Sequence, residues 1–425
     1  LNEALLQFIW QYSLYNTANL FTVNGEPITV IFPGKLNKDA GPDFSEARIK
    51  IGDTTLVGNV ELHIHSSDWL LHGHQDDKAY SNLILHVVYK NDKPDVAANT
   101  PVLELRSHIP AHVLNQYESL LGAKEKLPCA GQHNTIRSIT KESWLNRMLA
   151  ERWEQKLADW NVMLQQSAED WRNLLYWRMA ANFGFKINAA PFLLLARSIP
   201  LNVLARHRED LFQIEAILFG QSGMLNGEFT DEYPNQLKQE YEYLCKKYKL
   251  EPIAPHLWKF LRLRPANFPT IRIAQFAALV HKSLHLFSQI IELENVKEII
   301  PLLDVTATGY WKDHFRFDEL APPSSKHLGT ASIQNIIINT IAPIQFLYAS
   351  KQGTATGKDK ALQLLDSVPA EKNNILTLWQ EHDWKAQNAS QSQALIQLYN
   401  NYCSSKRCLN CAIGLGILRS SPIEG

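Results

Sequence analysis

The rhythm of apolar positions changes about a third of the way along the chain. Residues 2–15 (NEALLQFIWQYSLY) carry apolar side chains at helical spacing, and Ile28 to Phe32 is a short β-branched run stopped by Pro33-Gly34. Arg48 to Ile51 alternates polar and apolar up to a Gly52-Asp53 turn, and Leu56 to Ile64 continues as a second strand, which predicts a β-hairpin. Leu71 to Ser81 is polar and predicts a helix. Leu83 to Tyr89 reads as a buried strand, and Val102 to Leu105 as another. The order helix, strands, helix, strand predicts an α/β module with one compact sheet.

From about residue 138 long amphipathic stretches rich in Leu, Trp, Gln and charged residues take over, and helices are expected to dominate. Ser167-Ala168-Glu169-Asp170 ahead of Trp171 reads as a capping box, and Pro369 suits a first helical turn. The polar, glycine-bearing run from Ser350 to Lys358 reads as a loop, without the spacing of a phosphate-binding P-loop. The expected class is α+β followed by α, with an α/β domain over residues 1–128 and a helical domain over residues 129–425.

Composition adds limits. With 425 residues, 45% of them hydrophobic, the chain buries sizeable cores. Its net charge of −1 makes no overall electrostatic case for nucleic acid, but residues 1–128 hold ten Lys and Arg against fifteen Asp and Glu, leaving thirty-two against twenty-eight in the remainder. No apolar run reaches the roughly 18 residues of a membrane span, and no signal peptide opens the chain, so a cytoplasmic protein without a membrane partner is expected. Five cysteines do not make a disulfide scaffold, and three crowd the C-terminus, which favours metal in a reducing compartment.

The sharpest chemistry lies in Gly41-Pro42-Asp43-Phe44 and Glu61-Leu62-His63, where seventeen residues separate Asp43 from Glu61. Residues two apart on a strand share a face, so Glu61, His63 and His65 project together. If Asp43 begins the neighbouring strand, its carboxylate meets Glu61, and the pair suits a hard ion such as Mg²⁺ or Mn²⁺ with the Leu62 carbonyl as a further oxygen. His63 is then a general base, a phosphate donor or another ligand.

This arrangement resembles the PD-(D/E)XK nuclease superfamily, whose core is a helix, a β-hairpin carrying the acidic residues, a second helix and a closing strand. The resemblance covers residues 2–89 and implies a restriction-endonuclease-like domain, a metal held by Asp43 and Glu61, and hydrolysis of DNA phosphodiesters. His63 stands where that family carries lysine. Either histidine substitutes, or the lysine role falls to Lys78, beside Asp76, Asp77 and Tyr80, or the fold is kept as a non-catalytic nucleic-acid or protein-binding module. Gln75 with Tyr80 approximately matches a Gln/Tyr pair known in the superfamily. The whole chain is also similar to an uncharacterised bacterial family of unknown function, which implies no activity.

Five histidines, His63, His65, His72, His74 and His86, fall in the same region. Imidazoles suit transition metals better than Mg²⁺. A competing expectation is therefore a transition-metal hydrolase using His63, His65, His72 or His74 with an Asp, although no HExxH spacing is present. His86, inside an apolar strand, reads as a hydrogen-bonded core residue.

Cys403-x4-Cys408-x2-Cys411 is the second specific signal, since thiolates at this spacing converge on one soft metal. Cys129 is the preferred fourth ligand over Cys245, which sits in a helical pattern. Certain PD-(D/E)XK nucleases similar in outline hold a [4Fe-4S] cluster with one cysteine near the nuclease core and three near the C-terminus. Their triplet spacing differs from this one, so zinc and [4Fe-4S] both remain expectations. In the helical part, Arg262, Arg264 and Arg272 and the run Tyr310 to Phe317 are candidates for phosphate contact and base stacking, against the plainer reading of buried stems and core aromatics.

Overall fold

A computed structural model describes residues 1–74, 77–94, 100–282 and 285–420. The chain divides into two units, Leu1–Leu145 with Gln397–Gly425, and Asn146–Ile396. This division differs from a boundary at residue 128: it falls inside a long helix, and the C-terminal segment belongs with the first unit.

The first unit opens with α1 (Glu3–Gln11), capped by the Asn2 side chain, which accepts from the Leu5 amide at 2.9 Å. Its apolar stripe, Leu5, Leu6, Phe8, Ile9 and Trp10, is buried. The strands are β1 (Leu20–Phe21), β2 (Pro27–Phe32), β3 (Lys35–Leu36), β4 (Phe44–Ile51), β5 (Thr54–His65), β6 (Leu83–Lys90) and β7 (Val102–Glu104). They form one sheet in the order β1-β2-β4-β5-β6-β7, with β3 paired to β4 off that path. The expected hairpin is β4–β5, antiparallel with Ile51 opposite Thr54. β6 and β7 add in parallel, and β5 and β6 therefore carry near-continuous buried runs.

Two irregularities aim the central strands. The β4–β5 register pairs Ala47 with Gly58 but Phe44 with Val60, so β4 carries one extra residue, and Glu46 within this bulge has φ 58°. Without the bulge, Asp43 would stand opposite Leu62; with it, Asp43 comes beside Glu61. Gly58 is the second device. A Cβ there would lie 2.5 Å from Ile84 Cγ2 and 2.7 Å from the Asn82 carbonyl oxygen. Gly58→Ala is accordingly expected to destabilise the protein by about 1–3 kcal/mol, read by denaturant unfolding. A variant as stable as the parent would show that β6 gives way freely.

The helix expected over 71–81 is not continuous. After β5 comes α2 (Asp68–Leu71), then Gly73 at φ 71° reverses the chain, and a single turn, Lys78–Tyr80, precedes β6. Gln75 and Asp76 lie outside the described residues. α3 (Ala111–Gly122) follows the sheet, then α4 (Ser138–Gln166). The C-terminal segment contributes a turn at Cys408–Asn410 and the helix Ala412–Arg419.

The second unit is mostly helical, with two small antiparallel ribbons, Thr306–Ala307 with Lys326–His327 and His314–Arg316 with Glu319–Leu320. Several local expectations are corrected here. Asp170 rather than Ser167 caps the helix Trp171–Phe183, accepting from the Arg172 amide, while the Ser167 hydroxyl donates back to the Leu164 carbonyl. Pro369 pairs across a bridge with Asn388, and the next helix begins at Asn374. The 350–358 run is a tight connection, since helices occupy Ala342–Lys351 and Ala355–Ser367. Arg272 is buried, its guanidinium donating to Gln275, Asn267 and Ser332 and lying over the Phe185 ring, so it faces protein rather than phosphate. Trp311 is core.

Buried Glu215 adds a pH dependence. Its carboxylate accepts from the Tyr233 hydroxyl at 2.5 Å, and burial pushes its pKa up to about 7. A carboxyl with a raised folded pKa binds its proton more tightly folded than unfolded, so its stability contribution is complete below about pH 4.5 and is lost as pH rises towards 7. The loss amounts to about 3 kcal/mol. Glu215→Gln is expected to flatten that part of the stability–pH profile; an unchanged slope between pH 4.5 and 7 would contradict this.

Candidate functional site

Glu61 and His63 leave the same face of β5, and Glu61 pairs in register with His86 of β6. Asp43, brought alongside by the bulge, is tied to Glu61 twice. Its backbone amide donates to Glu61 Oε2 at 2.9 Å, and its Oδ2 accepts from the Leu62 amide at 3.0 Å. The Gln7 side-chain amide of α1 donates to Asp43 Oδ1 at 2.7 Å. Gln7 was not among the sequence candidates; a glutamine amid the apolar stripe of α1, four residues after Glu3, is the signal that marks it.

The carboxylates carry a strain of like charge. Glu61 is 5% exposed, and burial followed by the nearby Asp43 charge pushes its pKa up to about 8. Burial also raises Asp43, opposed by its bonds from Leu62 and Gln7. Glu3, on the same helix as Gln7, adds a further negative neighbour to both.

Histidines form the other half of the site. His63 is fully buried, its Nδ1 2.9 Å from His86 Nε2 and its Nε2 3.2 Å from His72 Nδ1. Glu61 Oε1 lies 3.7 Å from His63 Nε2 and 3.3 Å from His74 Nε2. The donor atoms of His63, His72 and His74 all fall within 4.8 Å of one another. Trp69 and Tyr80 wall this side, the Tyr80 ring 4.1 Å from that of His74. Burial and the surrounding imidazoles push His63 down to about 3 and burial brings His86 down to about 4, so both are neutral. A neutral His63 does not reproduce the charge of a lysine. Lys78 is exposed on its turn, and His65 is exposed too, its ring 3.8 Å from Asp68, outside the cluster.

A family model described as "Protein of unknown function (DUF2851)" matches residues 3–374. The chain belongs to this family. No curated protein and no solved structure matches it. The span matched by DUF2851 holds Asp43, Glu61, the histidines and Cys129, and ends ahead of the C-terminal cysteines.

In this DUF2851 protein Cys129, Cys403, Cys408 and Cys411 are all buried and free of disulfides. They line one small cavity with Leu120, Pro128, Tyr402 and Ile413. Burial, then the neighbouring thiols, push Cys129 up to about 12; burial and Cys411 push Cys408 up to about 11. Cys403 is raised by burial and by all three other thiols. Cys245 belongs to the other unit, its thiol donating to the Leu250 carbonyl within the helix-end turn after Glu232–Tyr248. Among the described residues, no helix is long and apolar enough to cross a membrane.

Proposed function

We propose that this protein is a metal-dependent hydrolase of phosphodiesters, with DNA as the substrate class and Mg²⁺ or Mn²⁺ held at Asp43 and Glu61. The observation that carries this reading is the bulge-directed juxtaposition of the two carboxylates at the open end of a hairpin. The surrounding order supports it: α1, three short strands, the β4–β5 hairpin carrying both acids, the short helical segments, then β6 parallel to β5, an order similar to the PD-(D/E)XK core. Oxygen donors fit a hard ion, and such an ion supplies positive charge to a phosphoryl oxygen and lowers the pKa of a water. Gln7 and the Leu62 amide hold Asp43 in one rotamer, and the Asp43 amide does the same for Glu61. His63 serves the site as a neutral group.

The buried cysteines support a second, structural metal in the same unit, zinc or [4Fe-4S], bound by Cys129, Cys403, Cys408 and Cys411. The hydrolase reading is tested by incubating supercoiled plasmid and single-stranded DNA with the purified protein and Mg²⁺ or Mn²⁺. Cleavage that stops on chelation and resumes on adding the ion is expected. Intact DNA with both ions would leave the fold as a binding module.

A further inference from the structure

The carboxylate pair accounts for only one side of Glu61. Its Oε2 faces Asp43, whereas its Oε1 faces two imidazoles, 3.7 Å to His63 Nε2 and 3.3 Å to His74 Nε2, and a third follows, His72 Nδ1 lying 3.2 Å from His63 Nε2. Neighbouring donors around a tetrahedral ion with bonds of about 2.0–2.2 Å stand about 3.3 Å apart. These three contacts lie near that spacing, and the donor atoms of His63, His72 and His74 all fall within 4.8 Å of one another.

We propose that Glu61, His63, His72 and His74 form a first-row transition-metal site, of the kind that takes Zn²⁺, distinct in its donors from the Asp43 side and sharing Glu61 with it.

Three further observations agree. His74 Nε2 is buried without a hydrogen-bond partner, although it lies close to Glu61, so a buried, unpartnered ring nitrogen is aimed into the cluster. The contact of His63 Nδ1 with His86 Nε2 orients the ring; with the proton on Nδ1, the lone pair of Nε2 faces the other donors, as an outer hydrogen bond does for metal-ligating histidines. Finally, the reversal at Gly73 returns the chain so that His72 and His74, two residues apart, both turn towards β5. The donor chemistry matches as well, because three imidazoles and one carboxylate suit Zn²⁺ or its neighbours over Mg²⁺. The proposal deepens the hydrolase reading through Glu61 but does not depend on its substrate.

The test is metal binding, not activity. Metal-free full-length protein is titrated with Zn²⁺ and, separately, with Co²⁺, for wild type, His72→Ala, His72→Ala with His74→Ala, Asp43→Ala and His65→Ala. His72 is exposed, so its single substitution leaves the fold intact, checked by circular dichroism. The double variant is expected to bind one equivalent less Zn²⁺ than wild type and to lose the visible bands of nitrogen- and oxygen-bound Co²⁺. His72→Ala alone weakens that equivalent about tenfold or more, while Asp43→Ala and His65→Ala keep it. Comparing variants of the histidines separates this site from the cysteines, which all variants share. Equal stoichiometry and spectra in wild type and the histidine variants would overturn the proposal. DNA left intact by a protein that shows the histidine-dependent equivalent sinks only the phosphodiester reading.

Discussion

Glu61→Gln is expected to abolish metal-dependent hydrolysis and, at the same time, to raise the melting temperature of the metal-free protein. Glu61 is buried beside Asp43 and near Glu3, so ionising it places like charges together in a poorly solvated site. The glutamine has the same shape. Its carbonyl oxygen still accepts from the Asp43 amide, and its new NH₂ lies towards His74 Nε2, the buried nitrogen that lacks a partner. With its pKa pushed up to about 8, the folded metal-free protein must hold Glu61 protonated at neutral pH, and the neutral amide removes that cost, about 3 kcal/mol at pH 7. The same change removes a carboxylate that faces both donor sets, and the loss of rate is expected to exceed about a hundredfold, or roughly 2.7 kcal/mol of transition-state stabilisation. Thermal melts of chelated protein read the first effect and DNA cleavage the second. A lowered melting temperature would show that Glu61 is needed for the fold itself.

Cys403→Ser is the second large effect. Four buried thiols packed together are held neutral, since burial and mutual proximity raise their pKa values. A bound metal reverses this, because coordinating thiols deprotonate outright. Metal binding at such a site is folding free energy for the segment it ties down. Here it joins the turn after Leu127, the Cys408–Asn410 turn and the start of the helix Ala412–Arg419, whose first-turn amides at Ile413 and Gly414 favour the Cys411 thiolate against the burial that raises its pKa. Loss of one ligand is expected to remove the metal and to cost about 3–5 kcal/mol, lowering the melting temperature by roughly 10 °C. Absorbance of anaerobically purified protein distinguishes the metals: brown colour means [4Fe-4S], and a colourless protein with stoichiometric zinc means Zn²⁺. A Cys403→Ser variant that melts at the same temperature as metal-loaded wild type would contradict the reading.

Much of the fold around the site is written in local pattern. The alternation Arg48 to Ile51, the Gly52-Asp53 turn and the apolar run to Ile64 specify the hairpin, because strand period and turn chemistry act over a few residues. The bulge at Ser45 and Glu46 leaves no such mark, since it is set by pairing between strands, yet it decides what Asp43 meets. The polar stretch after Leu71 has the composition of a helix, but Gly73 and the pull of two histidines towards β5 break it. His63 reads in sequence as a substitute for lysine; only the packing of β6, with His86 behind it, makes it a neutral group among imidazoles. The clustering of Cys129 with a segment nearly three hundred residues away follows from spacing of the triplet and from tertiary contact together.

The central claim is that Asp43 and Glu61 together hold the ion that hydrolyses a phosphodiester. The most direct measurement compares single-turnover cleavage of a DNA substrate by wild type, Asp43→Asn and Glu61→Gln in saturating Mn²⁺, with folding of each verified by circular dichroism. The predicted result is ion-dependent cleavage by wild type and a loss beyond about a hundredfold in each variant. Cleavage at the wild-type rate in both folded variants would contradict the account.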